Sequence, residues 1–259
     1  MRFIAIGDNC IDYYVKTKKG YAGGNSVNFA VYIKQLGGES AYIGAVGNDD
    51  NGKILIDALN KEQVDISHLH VLEGKTAVTE VEIVDSDRKL SNFNSGVTEN
   101  FTLTNQDIEY IKSYDYLHTA VWGKMEDYLR KLKNSIIICY DFSNKLTLPN
   151  INDILKSIDY AFFSYDEDNE YIRDYLIQAQ KQGLVCSIAT LGENGSLAYD
   201  GQDFYNQGIN KVKVVDTIGA GDSFIAGFMF AVSKGMGIQE CLKKGSERAQ
   251  KTIGYYGSF

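Results

Sequence analysis

Val214-Val215-Asp216-Thr217-Ile218-Gly219-Ala220-Gly221-Asp222-Ser223-Phe224-Ile225-Ala226-Gly227-Phe228 is the stretch on which the reading of this chain turns. A β-branched run leads into a glycine-rich turn, and an apolar helix follows. Gly219 and Gly221 carry no Cβ, so the backbone there can approach a ligand closely. The first turn of a helix leaves N–H groups without intrahelical partners. With the helix dipole, they make a site for an anion. Asp222 stands at that same helix start. Alone, an aspartate there reads as a cap or a dipole partner. Beside an anion site it can also take the proton of an attacking hydroxyl while the amides hold the charge of a transferring phosphoryl group.

Around this stretch, short apolar runs alternate with longer helix-like segments. The pattern predicts strands over Phe3–Ile6, Ser40–Val46, Tyr116–Ala120, Ile136–Asp141, Tyr160–Ser164, Val185–Thr190 and Ser196–Tyr199. It predicts helices over Ser26–Leu36, Gly52–Lys61, Thr104–Ser113, Asn169–Gln182, Gly221–Lys234 and Ile238–Thr252. Such alternation implies an α/β fold, a mostly parallel sheet flanked by helices. Ligands of open α/β sheets bind beyond the carboxyl ends of the strands. The loops Gly7-Asp8, Gly47-Asn48-Asp49, Asp141-Phe142-Ser143 and Thr190-Leu191-Gly192 are therefore expected to face a site.

Segments 11–22 and 77–95 break the rhythm. Val78, Val81, Ile83 and Val84 partly alternate with acidic residues, and Asp85-Ser86-Asp87 reads as a hairpin turn. The two segments are expected to form a small sheet projecting from the main body, or else an edge hairpin. The only proline is Pro149, and no Gly/Ser tract or repeat marks a linker, so residues 1–259 are expected to form a single domain.

Composition narrows the function classes. An apolar fraction of 44% and a charged fraction of 23% are those of an ordinary globular chain. A net charge of -8 with no basic run disfavours a nucleic-acid partner. No apolar run reaches the roughly 18 residues that span a bilayer, so no membrane partner is expected. Met1-Arg2-Phe3-Ile4-Ala5-Ile6-Gly7 reads as a strand and not as a signal peptide. Cys10, Cys139, Cys186 and Cys241 form no C-x-x-C pair and read as free thiols. A cytoplasmic location is the expectation.

The motif Asp216-Thr217-x-Gly219-Ala220-Gly221-Asp222 resembles the signature of the ribokinase-like (PfkB) carbohydrate kinases. Gly23-Gly24-Asn25-Ser26-Val27-Asn28 resembles the family's sugar-binding Gly-Gly segment, and Val46-Gly47-x-Asp49-x-x-Gly52 and Thr190-Leu191-Gly192-x-x-Gly195 are further family-like elements. The likeness runs along the whole chain. It implies an ATP-dependent sugar kinase with Asp222 as base and Gly219, Ala220 and Gly221 as anion hole. Thr190, Gly192, Gly195 and Thr217 would lie along the nucleotide. Segments 11–22 and 77–95 would be the substrate lid, through which members of the family can pair as homodimers. ATP and Mg²⁺ are the implied cofactors, and a monovalent cation is a further family implication with no residues assigned. One departure stands out: where many members carry Asn-x-x-Glu, this chain has Ser164-Tyr165-Asp166-Glu167. Glu167 would act on Mg²⁺ through water.

On the sugar side, Asp8 and Asp12 suit vicinal hydroxyls, or cap turns. Asn25 and Asn28 both donate and accept, and Asn28 also reads as a buried helix residue. Within the family, Gly7-Asp8-Asn9-Cys10-Ile11-Asp12, Val64–His70, Val121-Trp122-Gly123 and Thr190–Gly195 resemble the branch that phosphorylates the 6-hydroxyl of fructosamines. Their substrates carry an ammonium, which suits Asp12, Asp85 and Asp87 or an aromatic face at Tyr13, Tyr14 or Trp122. Arg88 would hold an anionic substrate group or shield the phosphoryl, although it reads more simply as a surface charge. A plain hexose or a nucleoside is the alternative acceptor, and a silent sugar-binding regulator the alternative class.

Other signals carry less. Gly47–Lys53 has P-loop spacing, but Ile54 replaces the required Ser/Thr. His68 and His70 lack a third metal ligand at suitable spacing, and His118 reads as a core histidine. Gly7-Asp8-Asn9-Cys10 is not a dinucleotide fingerprint.

Overall fold

In the computed structural model, which describes residues 1–84, 87–209 and 212–259, the first strand already shows how the sheet is built. β1 (Arg2–Ile6) sends Phe3 and Ala5 to one apolar cluster and Ile4 and Ile6 to another. Side chains alternate across a strand, so a strand apolar on both faces must be covered on both.

The chain leaves β1 for β2 (Cys10–Tyr14) and β3 (Lys19–Gly23), then enters α1 (Asn25–Gln35) and returns as β4 (Glu39–Ile43). β5 (Ala45–Gly47), α2 (Asp50–Lys61), β6 (His70–Leu72), β7 (Val78–Val84) and β8 (Asp87–Asn94) follow. The second half runs α3 (Asn105–Ile111), β9 (Tyr116–Ala120), α4 (Glu126–Leu132), β10 (Ile137–Asp141), α5 (Ile151–Leu155), β11 (Tyr160–Ser164) and α6 (Glu170–Gln180). It closes with β12 (Cys186–Thr190), β13 (Ser196–Tyr199), β14 (Phe204–Gln207), α7 (Ala220–Ser233) and α8 (Ile238–Thr252).

The large sheet has the order β14-β13-β12-β11-β10-β9-β1-β4. Its members from β4 to β12 pair in parallel, and β13 and β14 are antiparallel. Residues of α1, α2, α7 and α8 join the cluster on one face, and residues of α3 to α6 join the other. β1 and β9 are neighbours, yet their onward connections run in opposite directions. Their carboxyl ends thus form the switch point at which an α/β sheet opens a crevice. Gly7 (φ 116) and Gly123 meet there: a Cβ on Gly7 would lie 2.8 Å from Gly123 Cα.

Segments 11–22 and 77–95 supply strands to a second sheet, ordered β3-β2-β7-β8. β2 and β7 pair in parallel, the other pairs antiparallel. The turn residues Asp85 and Ser86 lie outside the described residues. So do the side chains of Asp87 and Arg88, although their backbone belongs to β8.

Three expectations are corrected. Ser40–Val46 is not one strand: it breaks at Gly44, where a Cβ would strike the Tyr42 ring and Gly7 O, and β5 leaves to pair with β6. α2 begins at Asp50 and not at Gly52, because Asp49 is its N-cap and accepts from Gly52 N at 2.8 Å. α4, α5, β6 and β14 appear where no element was predicted; each is short, so its periodic signal is weak. His68 and His70 share one carboxylate, Asp107, at 2.8 and 3.0 Å, which ties the start of β6 and the chain just before it to the capping box of α3.

Gly7→Ala forces both a positive φ and a backbone clash at the switch point. It is expected to destabilise the protein by at least about 2 kcal/mol, read as a lowered urea midpoint with an unchanged m-value.

Candidate active site

Two chain crossings bring the charged residues together. β2 lies against the Gly-Gly segment so closely that a Cβ on Gly24 (φ 105) would meet Asn9 Cα at 2.5 Å, and a Cβ on Gly23 would strike the Asp12 carboxylate. This close approach needs both glycines. It places Asp8 over the start of α1, where Oδ2 accepts from Asn25 N at 2.6 Å and Oδ1 from Ser26 Oγ at 3.0 Å. Asp8 thereby caps α1. Asp12 is buried on β2 and accepts from Cys10 Sγ.

Asn25 is the hub. Its Nδ2 donates to Asp141 Oδ2 at 2.6 Å, and its Oδ1 lies 2.7 Å from His118 Nε2. The amide oxygen can only accept, so His118 carries its proton on Nε2. Burial holds the His118 imidazole down at about 3, hence neutral. The ring stacks on Phe29, which makes His118 the core histidine that was expected.

Asp141, at the end of β10, is the residue that sequence reasoning passed over. Its loop was expected to face a site, but no role was given to the carboxylate. Burial pushes it up to about 6, against hydrogen bonds from Ser143 N and Asn25, with the charge of Asp8 adding to the rise. Asp8 is itself raised by burial.

Asp222 stands in the first turn of α7. Asn28 Nδ2 donates to its Oδ2 at 2.7 Å. Asp222 keeps part of its surface open yet sits deep among protein atoms. Burial drives its carboxyl well above the ordinary value; Asn28 opposes this, and Asp141, Asp8 and Asp12 add repulsion. No lysine or arginine is among the groups shifting Asp8, Asp141 or Asp222 in the described residues. Asn28 Oδ1 is buried with no partner among them.

The turn before α7 is fixed from behind. Gly219 is left-handed (φ 73), and a Cβ there would strike the Tyr32 hydroxyl. At Gly221 a Cβ would meet nothing within 4 Å, so the turn is open on that side. The N-cap of α7 is Gly219, which has no side chain to cap the first turn. Asp216 is buried and accepts from Tyr14 Oη, from Ile218 N at 3.0 Å and from Gly257 N at 3.1 Å. Tyr14, Val81 and Ile218 form one apolar cluster. The small sheet, the turn and the C-terminal residues are thus clipped together through Asp216.

The nucleotide-side candidates lie along neighbouring strand ends. Thr190 ends β12, with Ser164 Oγ at 3.4 Å, and Gly192 (φ 56) and Gly195 (φ 94) form the following turn. Thr217 is exposed beside Gly219. Glu167 is exposed, accepting from Asn169 Nδ2 at 3.0 Å, and Asn194 Nδ2 donates to Asp166 O at 2.8 Å, which links its loop to that turn. Trp122 is 51% exposed at the switch point, with Lys145 Nζ 5.3 Å from its ring centroid. The described residues hold no group of three His, Cys, Asp or Glu able to cage a metal. Single carboxylates remain, and these suit Mg²⁺, which keeps much of its water and takes one or two carboxylates besides phosphate oxygens. No described helix is long and apolar enough to cross a membrane.

A switch-point crevice with a helix-start turn and a carboxylate beside it defines a phosphate-handling α/β enzyme. The chain belongs to the pfkB family of carbohydrate kinases, whose profile matches residues 1–258. It is 40% identical over 255 residues to fructoselysine 6-kinase of Escherichia coli strain K12, covering 98% of each chain. To fructosamine kinase FrlD of Bacillus subtilis it is 34% identical, covering 100% of this chain and 93% of the other. Among solved structures, Arabidopsis thaliana ribokinase complexed with ribose and ATP superposes with a TM-score of 0.89 at 23% identity, over 99% of this chain and 93% of that one. A putative ribokinase II of E. coli with ATP and Mg²⁺ gives 0.86 at 19% identity, over 99% and 94%. The ribokinase-like fold and the family expected from the sequence are both found.

The carboxylate cluster makes a pH prediction. Asp141 titrates at about 6 in the folded chain, against 3.8 for an ordinary aspartate. The folded state therefore binds more protons between these values, and its stability rises as pH falls through 6. Thermal unfolding of the apoprotein should show a gain of order 1–3 kcal/mol from Asp141 between pH 8 and pH 5; Asp141→Asn should lose that part and keep the gain that the raised Asp222 and Asp8 contribute.

Proposed function

We propose that this chain transfers the γ-phosphate of ATP to the 6-hydroxyl of a fructosamine such as fructoselysine. The observation that carries the reading is the pairing of Asp222 with the open helix-start turn, beside carboxylates that no lysine or arginine among the described residues is shown to offset. Asp222 takes the proton of the sugar hydroxyl as the hydroxyl oxygen attacks the γ-phosphorus, and ADP leaves. A raised carboxyl pKa makes Asp222 the better base near neutral pH. Asn28 aims Asp222 through one end of its amide and keeps its oxygen for a substrate hydroxyl. The backbone amides at Gly219 and Gly221 face the charge that develops on the transferring group, and the Ala220 amide, which donates to Thr217 O at 3.3 Å, joins them only on leaving that bond.

Asp8, Asp12, Asp141 and Asn25 give the sugar side its acceptors. A plain hexose would leave their mutual repulsion unrelieved, whereas the ammonium of a fructosamine offsets it. Trp122 offers a face for the same cation. Arg88 is proposed at the lid, and Thr190, Gly192, Gly195 and Thr217 along the nucleotide. Mg²⁺ bound with ATP would neutralise phosphate charge, with Glu167 reaching it through water. A monovalent cation remains a family expectation without residues. The open edge of β8, carrying the 64% exposed Phe93, supports a dimer through the small sheet, and sedimentation tests it.

ATP turnover against fructoselysine, other fructosamines, fructose, ribose and adenosine tests the reading. Fructosamines should dominate kcat/KM. Asp222→Asn should lose roughly 10²–10⁴-fold in kcat with KM little changed. A plain sugar or nucleoside as best acceptor would refute the fructosamine assignment and leave the kinase. An Asp222→Asn enzyme as fast as wild type would refute the base.

A further inference from the structure

A second concavity lies away from this crevice. It measures about 320 Å³ and opens between the C-terminal ends of α1 and α7 and the middle of α8. Asn28 and Asp222 mark the active-site ends of α1 and α7, and Gln35 and Lys234 mark the far ends. On α1 the separation is about 10 Å at roughly 1.5 Å per residue.

Arg248 lines this cavity and is 5% exposed. Its Nη2 donates to Gln35 Oε1 at 2.5 Å, and its guanidinium lies 4.4 Å from the centroid of the Tyr32 ring. Nε and Nη1 have no hydrogen-bond partner among the described residues. A guanidinium buried with two unused donors is costly, and an oxyanion matching its fork relieves that cost. The cavity also carries Lys234, Lys244 and Lys251. Its one carboxylate, Glu247, is already paired with Lys244 at 2.8 Å. The remaining wall is apolar, at Leu36, Phe230 and Met236. Surplus positive charge over an apolar wall, in a volume of small-ligand size, fits a small organic phosphate.

The same arginine reaches toward the active site. Tyr32, under its guanidinium, donates through Oη to Ser258 O, and that hydroxyl occupies the space a Cβ of Gly219 would need. The hydroxyl and Ser258 back the left-handed residue of the phosphate turn. Turning Arg248 toward a bound phosphate changes what Tyr32 packs against, and so changes the support of Gly219.

We infer that the cavity between α1, α7 and α8 is a regulatory site for a phosphomonoester with a small apolar body, linked through Arg248 and Tyr32 to the turn at Gly219. The probe is phenyl phosphate, with inorganic phosphate and phenol as controls, added at saturating ATP and sugar. It should raise the thermal midpoint and change kcat by about twofold or more, as a coupling of order 1 kcal/mol or less would do. Both effects should vanish in the rim variant Lys234→Glu/Lys251→Glu, whose basal kcat/KM stays within about twofold of wild type. They should also vanish in Arg248→Met. The inference fails if phenyl phosphate has no effect, if its effect persists in the rim variant, or if saturating ATP abolishes it. Stabilisation without a change in kcat overturns the link to Gly219, and an equal effect from inorganic phosphate overturns the organic class.

Discussion

The crowding of buried carboxylates at the carboxyl end of the large sheet is the constraint around which the active site is arranged. Burial raises the tendency of Asp8, Asp141 and Asp222 to hold a proton, and neighbouring charges add to it, Asp8 acting on Asp141, and Asp141, Asp8 and Asp12 on Asp222. The chain holds them with neutral donors: Asn25 and Ser26 on Asp8, Asn25 and Ser143 on Asp141, Asn28 on Asp222. Neutral donors fix geometry without bringing a positive charge to offset the carboxylates. A protein that only needed these residues for stability would do better with a cation or an apolar group. The charge is kept for a ligand.

Two kinds of backbone approach make this crowding geometrically possible. Gly7 and Gly123 let the ends of β1 and β9 touch. Gly23 and Gly24 let β2 lie on the start of α1. A third device connects these to the phosphate turn. Asp216 belongs to the glycine-rich motif but is buried, and it joins Tyr14 of β2, Ile218 and Gly257. A change in the small sheet is thereby felt at the turn that precedes Asp222.

Much of this was legible in the sequence, because the strands are apolar on both faces and the phosphate turn is encoded in consecutive residues. Asp222 and its glycines could be read for that reason. Asp8 and Asp12 were legible as polar residues in the stretch that follows the first strand. Asp141 was not singled out, since a single aspartate ending a strand looks like any other turn residue until β10 is placed near α1. The Tyr14–Asp216 contact joins residues 202 positions apart, and no local pattern announces it. The apolar run through Val214 and Val215 forms no strand: Val215 N donates to Ile253 O at the end of α8. There a tertiary contact overrides β propensity.

On the proposed reading, this acidic pocket is matched to a cationic sugar. The most direct test of that match is the ratio of kcat/KM for fructoselysine to that for fructose, measured from pH 5 to pH 8. The substrate ammonium stays charged over this range while Asp141 ionises near 6. The account predicts a ratio that climbs as the pocket gains negative charge. A ratio that stays flat, or falls, would mean that the carboxylates do not read the ammonium.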